Sequence, residues 1–195
     1  MPFMIKKSDL DQSNRGVPTP AAYLRWSGIW DMQDLYESMV DYFRRRKYKF
    51  QEKVYKHKHP SPYGTERQYS WEAVRKESEY TLVTYNIYMH TYDAHDIEVV
   101  MADGNNKTFT KGRLWVEFKV LVTYDYEKRF ESKQFYAHLR DFYNKYVLRK
   151  RFTQGWSPKF RTELYELHAL VKNRLKMEYD QFEHRNIIGV HKRMV

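Results

Sequence analysis

The sequence predicts an α+β fold in which an antiparallel β-meander of about five strands carries one N-terminal and two C-terminal helices packed on one face. Apolar residues recur at helical spacing near the start of the chain, alternate with polar ones through its middle, and return to helical spacing after Glu131. The predicted strands follow one another too closely for parallel crossovers. Helices that flank a run of strands are typical of one helical layer on one sheet face.

The first helix is predicted from about Asp31 to Lys47. Asp31 can cap its N-terminus, and the basic residues 44–47 fall in its last turn, where positive charge favours the free carbonyls. Its apolar stripe is Met32, Leu35, Tyr36, Met39, Tyr42 and Phe43.

The middle of the chain has the two-residue period of β-strands. The clearest strand follows Arg113, where Leu114, Val116, Phe118, Val120, Val122, Tyr124 and Tyr126 alternate with the residues between them. A second strand covers Val83 to Met89, and weaker runs lie at 48–58 and 68–76. Residues 103–106 predict a hairpin turn between Val99-Val100 and Thr108-Phe109.

Two helices are predicted after the strands. The stripe of the first is Phe135, Leu139, Phe142, Tyr143, Tyr146 and Val147, and basic residues 149–151 end it. Ser157 and Pro158 suit the start of the second. The stripe of the second is Phe160, Leu164, Leu167, Val171 and Leu175.

Length and composition predict one domain. We expect an extended lead-in at 1–22, a single α+β domain at 23–180 and a polar tail at 181–195. The chain has no cysteine, which excludes disulfides, thiolate metal sites and thiol nucleophiles. No run of about 20 apolar residues and no secretory leader is present, so a cytoplasmic protein is expected.

The charge is concentrated in two stretches. Of the net charge of +10, residues 44–59 hold eight Lys and Arg against one Glu, and residues 142–162 hold six Lys and Arg with no acidic residue. The predicted polyanion-binding residues are Arg44, Arg45, Arg46, Lys47, Lys49, Lys53, Lys56, Lys58, Lys145, Arg149, Lys150, Arg151, Lys159 and Arg161. Tyr55, Tyr69 and Trp71 are candidates for stacking on the ligand.

This pattern predicts a non-enzymatic binding protein whose partner is nucleic acid first and an anionic membrane surface second. We expect both stretches to lie on one surface. The alternative interpretation is that the cations of each stretch complement a helix dipole or belong to a solvated face. Lys49, Lys53, Lys56 and Lys58 favour the binding interpretation, because they continue the charge into a strand.

Enzyme signatures are missing from the sequence. It has no Walker loop, nucleotide-binding glycine triplet, nucleophile elbow or metalloprotease helix, and no cofactor is expected. The weak candidates for metal ligands are His90, Asp93, His95 and Asp96, which a turn could bring together. A metal-dependent enzyme centred on residues 90–96 is therefore one alternative function.

Three short motifs carry a resemblance to a known group of proteins: Trp71-Glu72-Ala73, Lys111-Gly112-Arg113-Leu114 and the run from Asp141 to Tyr146. With these motifs the chain resembles a family of small uncharacterised archaeal α+β proteins. That resemblance implies the predicted order of helices and strands and no activity. The order is also similar to helix-grip folds, in which a C-terminal helix closes a curved sheet over an apolar cavity, so a carrier of an apolar or lipid-like ligand is the other alternative.

Overall fold

The structure, a computed structural model, describes residues 17–18, 22–61, 64–100, 104, 106–130, 134–149 and 157–177. It confirms the predicted α+β class and the antiparallel sheet. In chain order the elements are strands β1 (Val17–Pro18) and β2 (Ala22–Trp30), helix α1 (Met32–Arg45), strands β3 (Lys49–Ser61), β4 (Gly64–Lys76), β5 (Thr81–Val100) and β6 (Asn106–Tyr124), helix α2 (Gln134–Tyr143), a π-helical turn (Asn144–Leu148) and helix α3 (Ser157–Arg174).

The sheet is an open antiparallel meander, and its first two strands are added at one edge. Strands β3, β4, β5 and β6 are neighbours in that order, and β2 pairs with the free side of β6. The two residues of β1 extend this edge through the pair Val17 and Val122. Strands β2 and β3 are therefore the long edge strands, and the basic strand β3 has one side without a partner among the described strands.

One face of the sheet, the inner face, forms the core with the helices. Side chains from neighbouring strands stand opposite one another there, as in the row of Trp71, Ile87 and Phe118 and the pair of Met89 and Val116, and all five are buried. Burial of such contiguous apolar area is the main driving force for folding.

Helices α1 and α3 cover this inner face. Asp31 caps α1 by accepting a hydrogen bond from the backbone nitrogen of Asp34 (3.1 Å). The stripe residues Leu35, Met39 and Phe43 are buried in the core. The predicted stripe of α3 is buried as well, at Phe160, Leu164, Leu167, Val171 and Leu175.

Two features of the sheet differ from the prediction. Strand β2 is absent from the predicted elements, and β5 continues through His90 to Asp96, where the metal hypothesis required a turn. A β-bulge lies between Tyr92 and His95, where two residues of β5 stand opposite one residue of β6, and Asp93 has a φ of 53°. Gly112 lies opposite the bulge. A residue with a Cβ does not fit there, because the Cβ would be 2.8 Å from the carbonyl oxygen of Tyr92.

The boundaries of the predicted lead-in and tail fall mostly outside the described residues. Within the lead-in, Val17–Pro18 and Ala22 already belong to the sheet. Residues 1–16 and 181–195 are not among those the structure describes. In the described part of the chain no helix is both long and apolar enough to cross a membrane.

Candidate polyanion-binding surface

A group of exposed cations surrounds the C-terminal end of α1. The chain leaves this helix through a Schellman motif, in which the backbone nitrogen of Lys47 donates to the carbonyl of Arg44 (2.9 Å) and that of Tyr48 to the carbonyl of Phe43 (3.0 Å). Lys47 takes the left-handed position of the motif, with a φ of 60°. The side chains of Arg44, Arg45 and Lys47 are therefore held on a defined turn and point into solvent.

Arg46, in the middle of this run, has a different role. Its guanidinium lies 3.7 Å from the ring centroid of Tyr42, and Nη2 is 2.5 Å from a carboxylate oxygen of Glu166 on α3. The pair is partly exposed, so it contributes little to stability by itself. Arg46 therefore links the end of α1 to α3, and its guanidinium is not free to bind a ligand.

Strand β3 carries the second half of the first basic stretch along a sheet edge. Lys53 pairs with Glu72 (2.5 Å) and Lys58 pairs with Glu66 (2.9 Å), both across the β3–β4 ladder. Lys49 lies next to the end of α1, whereas Lys58 is nine residues further, about 30 Å at strand spacing. The stretch is thus not one compact patch, because its far part is at the opposite end of the strand.

Five cations of the first stretch make no ion pair with any residue that the structure describes. All five are exposed, and four of them lie within six residues of one another at the end of α1. They are Arg44, Arg45, Lys47, Lys49 and Lys56.

The second stretch divides between α2 and α3. Lys145 lies 5.4 Å from the ring centroid of Tyr146, and Arg149 is exposed at the end of the π-helical turn. Lys159 pairs with Glu77 (2.6 Å), and Arg161 is half-buried. The predicted residues Lys150 and Arg151 lie outside the described residues.

Arg75 and Glu77 bring parts of both stretches to the same end of the sheet. Arg75, at the end of β4, donates from Nη1 to the carbonyl oxygen of Arg46 (3.1 Å) and from Nη2 to Glu77 (2.9 Å). Glu77 also binds Lys159, so the end of α1 and the start of α3 meet at this pair. Burial alone would raise the pKa of Glu77, but Lys159 and Arg75 hold it below its usual value.

Tyr80 brings α2 to that same end. It lies in the β4–β5 turn, and its hydroxyl donates to the side-chain oxygen of Asn144 (2.7 Å). We call this surface the basic end of the molecule. It consists of Arg44, Arg45, Lys47, Lys49, Lys145, Arg149 and Lys159.

A half-buried carboxylate of α3 links that helix to the sheet and to the chain after α1, beneath the basic end. Glu163 of α3 accepts hydrogen bonds from the hydroxyls of Tyr48 (2.7 Å) and Tyr85 (3.0 Å). The hydroxyl of Tyr42 donates to the Glu163 carbonyl (2.5 Å). Burial raises the pKa of all three tyrosines far above its usual value, so they remain neutral donors. The end of α1, the start of β3 and helix α3 are therefore linked by hydrogen bonds beneath these cations.

The three stacking candidates share the inner face, but they differ in access. Tyr55 is exposed and packs on Tyr69, with ring centroids 4.9 Å apart. Trp71 is completely buried against Tyr36, and its indole nitrogen donates to Glu52 (3.0 Å). The prediction of Trp71 as a stacking residue is wrong, because the core covers both faces of its ring. Tyr55 keeps a free ring surface.

The histidine and carboxylate cluster at 90–96 does not converge on one point. Nε2 of His90 lies 2.5 Å from Glu66, and Asp93 pairs with Arg113. Asp96 pairs with Arg67 (2.5 Å), which holds the pKa of Asp96 below its usual value. His95 is exposed. In the described ranges no three His, Asp or Glu side chains come close enough to hold a metal ion.

The apolar stripe of α2 faces outward. Its side chains are exposed, whereas Arg140, Asn144 and Leu148 are buried. The exposed residues are Phe135, Tyr136, Leu139, Phe142, Tyr143, Tyr146 and Val147. A signal for this orientation exists in the sequence, since positions 140, 144 and 148 form a second stripe at four-residue spacing that contains polar residues.

Polar contacts fix this orientation of α2. Nη1 of Arg140 lies 4.0 Å from the buried carboxylate of Asp125, which also accepts hydrogen bonds from the backbone nitrogens of Arg129 and Phe130. Between α2 and the β4–β5 turn lies an apolar cleft of about 440 Å³. It is lined by Tyr80, Phe130, Leu139, Arg140, Phe142 and Tyr143.

Comparison with known proteins adds no family to this description. No family model matches the chain, and no curated protein matches it. The functional assignment therefore depends on the charges, contacts and exposed surfaces of the molecule itself.

Proposed function

We propose that this protein is a non-enzymatic binding protein that holds a polyanion on its basic end. The observation that carries the proposal is a set of exposed cations at the end of α1 that make no ion pair with any residue in the described ranges, namely Arg44, Arg45, Lys47 and Lys49. Helix-dipole complementation would be satisfied by one or two of them. The others raise the local positive potential without a partner in the described part of the chain, which suits an external anion.

The mechanism is electrostatic. Phosphates or anionic headgroups displace condensed counterions as they approach the basic end, so affinity falls steeply with added salt and depends little on sequence. Nucleic acid and an anionic membrane surface are the two polyanions that the sequence predicts, and a cytoplasmic location remains part of that proposal. The fixed turn at Lys47 favours binding, because its geometry is set before the ligand arrives.

Charge reversal of three cations tests the proposal. In the variant R44E/R45E/K47E, Arg46 is left unchanged because it contacts Tyr42 and Glu166. The control R25E/K111E/K176E reverses three exposed cations elsewhere and has the same net charge.

Binding of a fluorescent DNA duplex and of anionic vesicles is titrated at two salt concentrations, with circular dichroism as the folding control. If the duplex binds, the slope of log affinity against log salt should become shallower by about 2.7 for the first variant, and little for the control. Equal affinities for the folded variant and wild type, or equal losses in both variants, would contradict the proposal.

A carrier of an apolar ligand is a second candidate, favoured by the cleft beside α2. The space between the sheet and α3, where a helix-grip carrier holds its ligand, is filled by Tyr85, Phe118 and Phe160. A carrier function would thus use Leu139 and Phe142 in the cleft instead. An environment-sensitive apolar dye tests it, since substitution of Leu139 by serine should reduce dye binding.

A further inference from the structure

Helix α2 and the π-helical turn after it present an apolar surface to solvent, and Lys145 and Arg149 of the basic end lie on this same segment. Phe135, Phe142 and Tyr146 are 58–72 % exposed, and Leu139 and Val147 extend the surface. Single exposed apolar residues are common, but seven on the thirteen consecutive positions 135–147 form a contiguous patch, which marks an interaction surface. Arg140 and Asn144 are buried on the opposite side of the segment, where Asn144 accepts a hydrogen bond from Tyr80 and Nη1 of Arg140 lies 4.0 Å from Asp125.

Charge accompanies this patch. Lys145 and Arg149 lie on the same helical segment, and the β4–β5 turn connects it to the rest of the basic end. Three of the exposed residues are tyrosines, at positions 136, 143 and 146, whose rings have an apolar body and a polar hydroxyl. Apolar and aromatic side chains bordered by Lys and Arg are the composition of helices that lie in a lipid–water interface.

Two other occupants fit this surface less well. A nucleic-acid duplex presents hydrated phosphates and keeps its bases stacked inside, which leaves Phe135 and Phe142 in water. A second copy of the chain would place two basic ends of the same sign against each other, in a protein with a net charge of +10. An anionic bilayer satisfies both parts of the surface, because its headgroups neutralise the cations and its interior receives the rings.

We propose that the polyanion held by the basic end is an anionic lipid bilayer, on which α2 lies with Phe135, Leu139, Phe142 and Tyr146 inserted below the headgroups. This inference rests on the proposed function, since it names the partner of the same surface. Attachment is peripheral and reversible, because it uses a few side chains of one helix.

The test compares two serine variants of the full chain. The variant F135S/F142S/Y146S removes the inserting rings, and the control Y23S/I29S/V100S removes three apolar side chains of similar exposure (52–70 %) elsewhere on the surface. Both are assayed by co-sedimentation with vesicles of phosphatidylcholine, with or without 30 % phosphatidylglycerol, and by titration with a DNA duplex. Sedimentation equilibrium gives the oligomeric state.

The proposal predicts that wild type and the control bind the anionic vesicles alike, and that the α2 variant binds them at least roughly tenfold more weakly. Two results would overturn this inference and leave the proposed function standing. One is equal vesicle binding by the α2 variant and wild type, and the other is a wild type that binds DNA but does not bind vesicles. If wild type bound neither vesicles nor DNA, the proposed function itself would fail. A wild-type dimer that the α2 variant abolishes would assign the patch to a second copy.

Discussion

Replacing Lys47 by glycine should stabilise this protein while weakening its binding of a polyanion. Lys47 has a φ of 60°, the left-handed conformation that ends α1, where a side chain crowds the backbone. Glycine is the usual residue at this position of a Schellman motif because it has no Cβ. The substitution also removes a cation from the basic end, so stability and binding should change in opposite directions.

The magnitude follows from two opposing effects. Removing the side chain relieves about 1–2 kcal/mol of left-handed strain, and the greater freedom of glycine in the unfolded chain costs about 0.4–1 kcal/mol. The centres of these ranges give a net stabilisation of about 0.8 kcal/mol, or about 2–3 °C in melting temperature for a chain of this size. Lys47→Gln is the reference, because it also removes the charge near the helix end but keeps the strain.

Thermal unfolding of the glycine and glutamine variants measures the difference. Lys176 provides a repeat, since it ends α3 in the same motif with a φ of 54° and hydrogen bonds of 3.0 Å from Lys176 to Asn173 and from Met177 to Lys172. Glycine should exceed glutamine in stability at both positions, but only substitutions of Lys47 should lower the affinity for a polyanion. If the glycine variants were no more stable than the glutamine variants, the strain argument would be refuted.

Three further results are expected. Gly112→Ala should lower the free energy of unfolding by about 1–3 kcal/mol, because its methyl group would meet the backbone of the bulge 2.8 Å from the carbonyl oxygen of Tyr92; an unchanged urea midpoint would contradict this. Arg67 lowers the pKa of Asp96 in the folded state below its usual 3.8, so the stabilisation that Asp96→Asn removes should be present at neutral pH and be lost in acid, as the pH falls below 3.8 and through the lower pKa of the folded state. Urea unfolding of both proteins at the two pH values checks the sign, and a difference that persists in acid would oppose it. A chelator should leave the melting temperature unchanged, since the apolar core suffices at this size; a fall of many degrees would implicate a structural metal.

The elements with a clean apolar period could be predicted from the sequence, and strand β2 could not. In β2, Gly28 occupies an inward position while Ile29 points outward and is exposed. The ring of Trp26 lies 3.1 Å from the position of a Cβ on Gly28 and fills that space. At this point the outward residue is more apolar than the inward one. The alternation of apolar and polar residues that identifies a strand is therefore interrupted.

Several candidate site residues form ion pairs with residues that are distant in the sequence. Arg46 pairs with Glu166, which is 120 positions away, and Asp93 and Asp96 pair with arginines from neighbouring strands. A local pattern contains no information about such partners. The concentration of charge at Arg44 to Lys49 could be predicted, whereas the division between free and paired cations required the fold.

Helix α2 shows how a correct helix can be assigned the wrong buried side. Its period predicts the helix, and the usual assumption places the apolar stripe against the core. The buried pair of Arg140 and Asp125, together with the hydrogen bond from Tyr80 to Asn144, reverses this orientation. The reversal supplies the apolar half of the proposed binding surface.

Hydrogen exchange measured by mass spectrometry, with and without anionic vesicles, tests the central claim most directly. If the basic end and α2 together form the binding surface, backbone amides of residues 44–49 and 134–148 should become protected, and added salt should remove this protection. The amides of the β-bulge at Tyr92 to His95 should exchange at the same rate in both samples. Protection confined to the bulge, or unchanged exchange throughout while the protein sediments with the vesicles, would contradict the account.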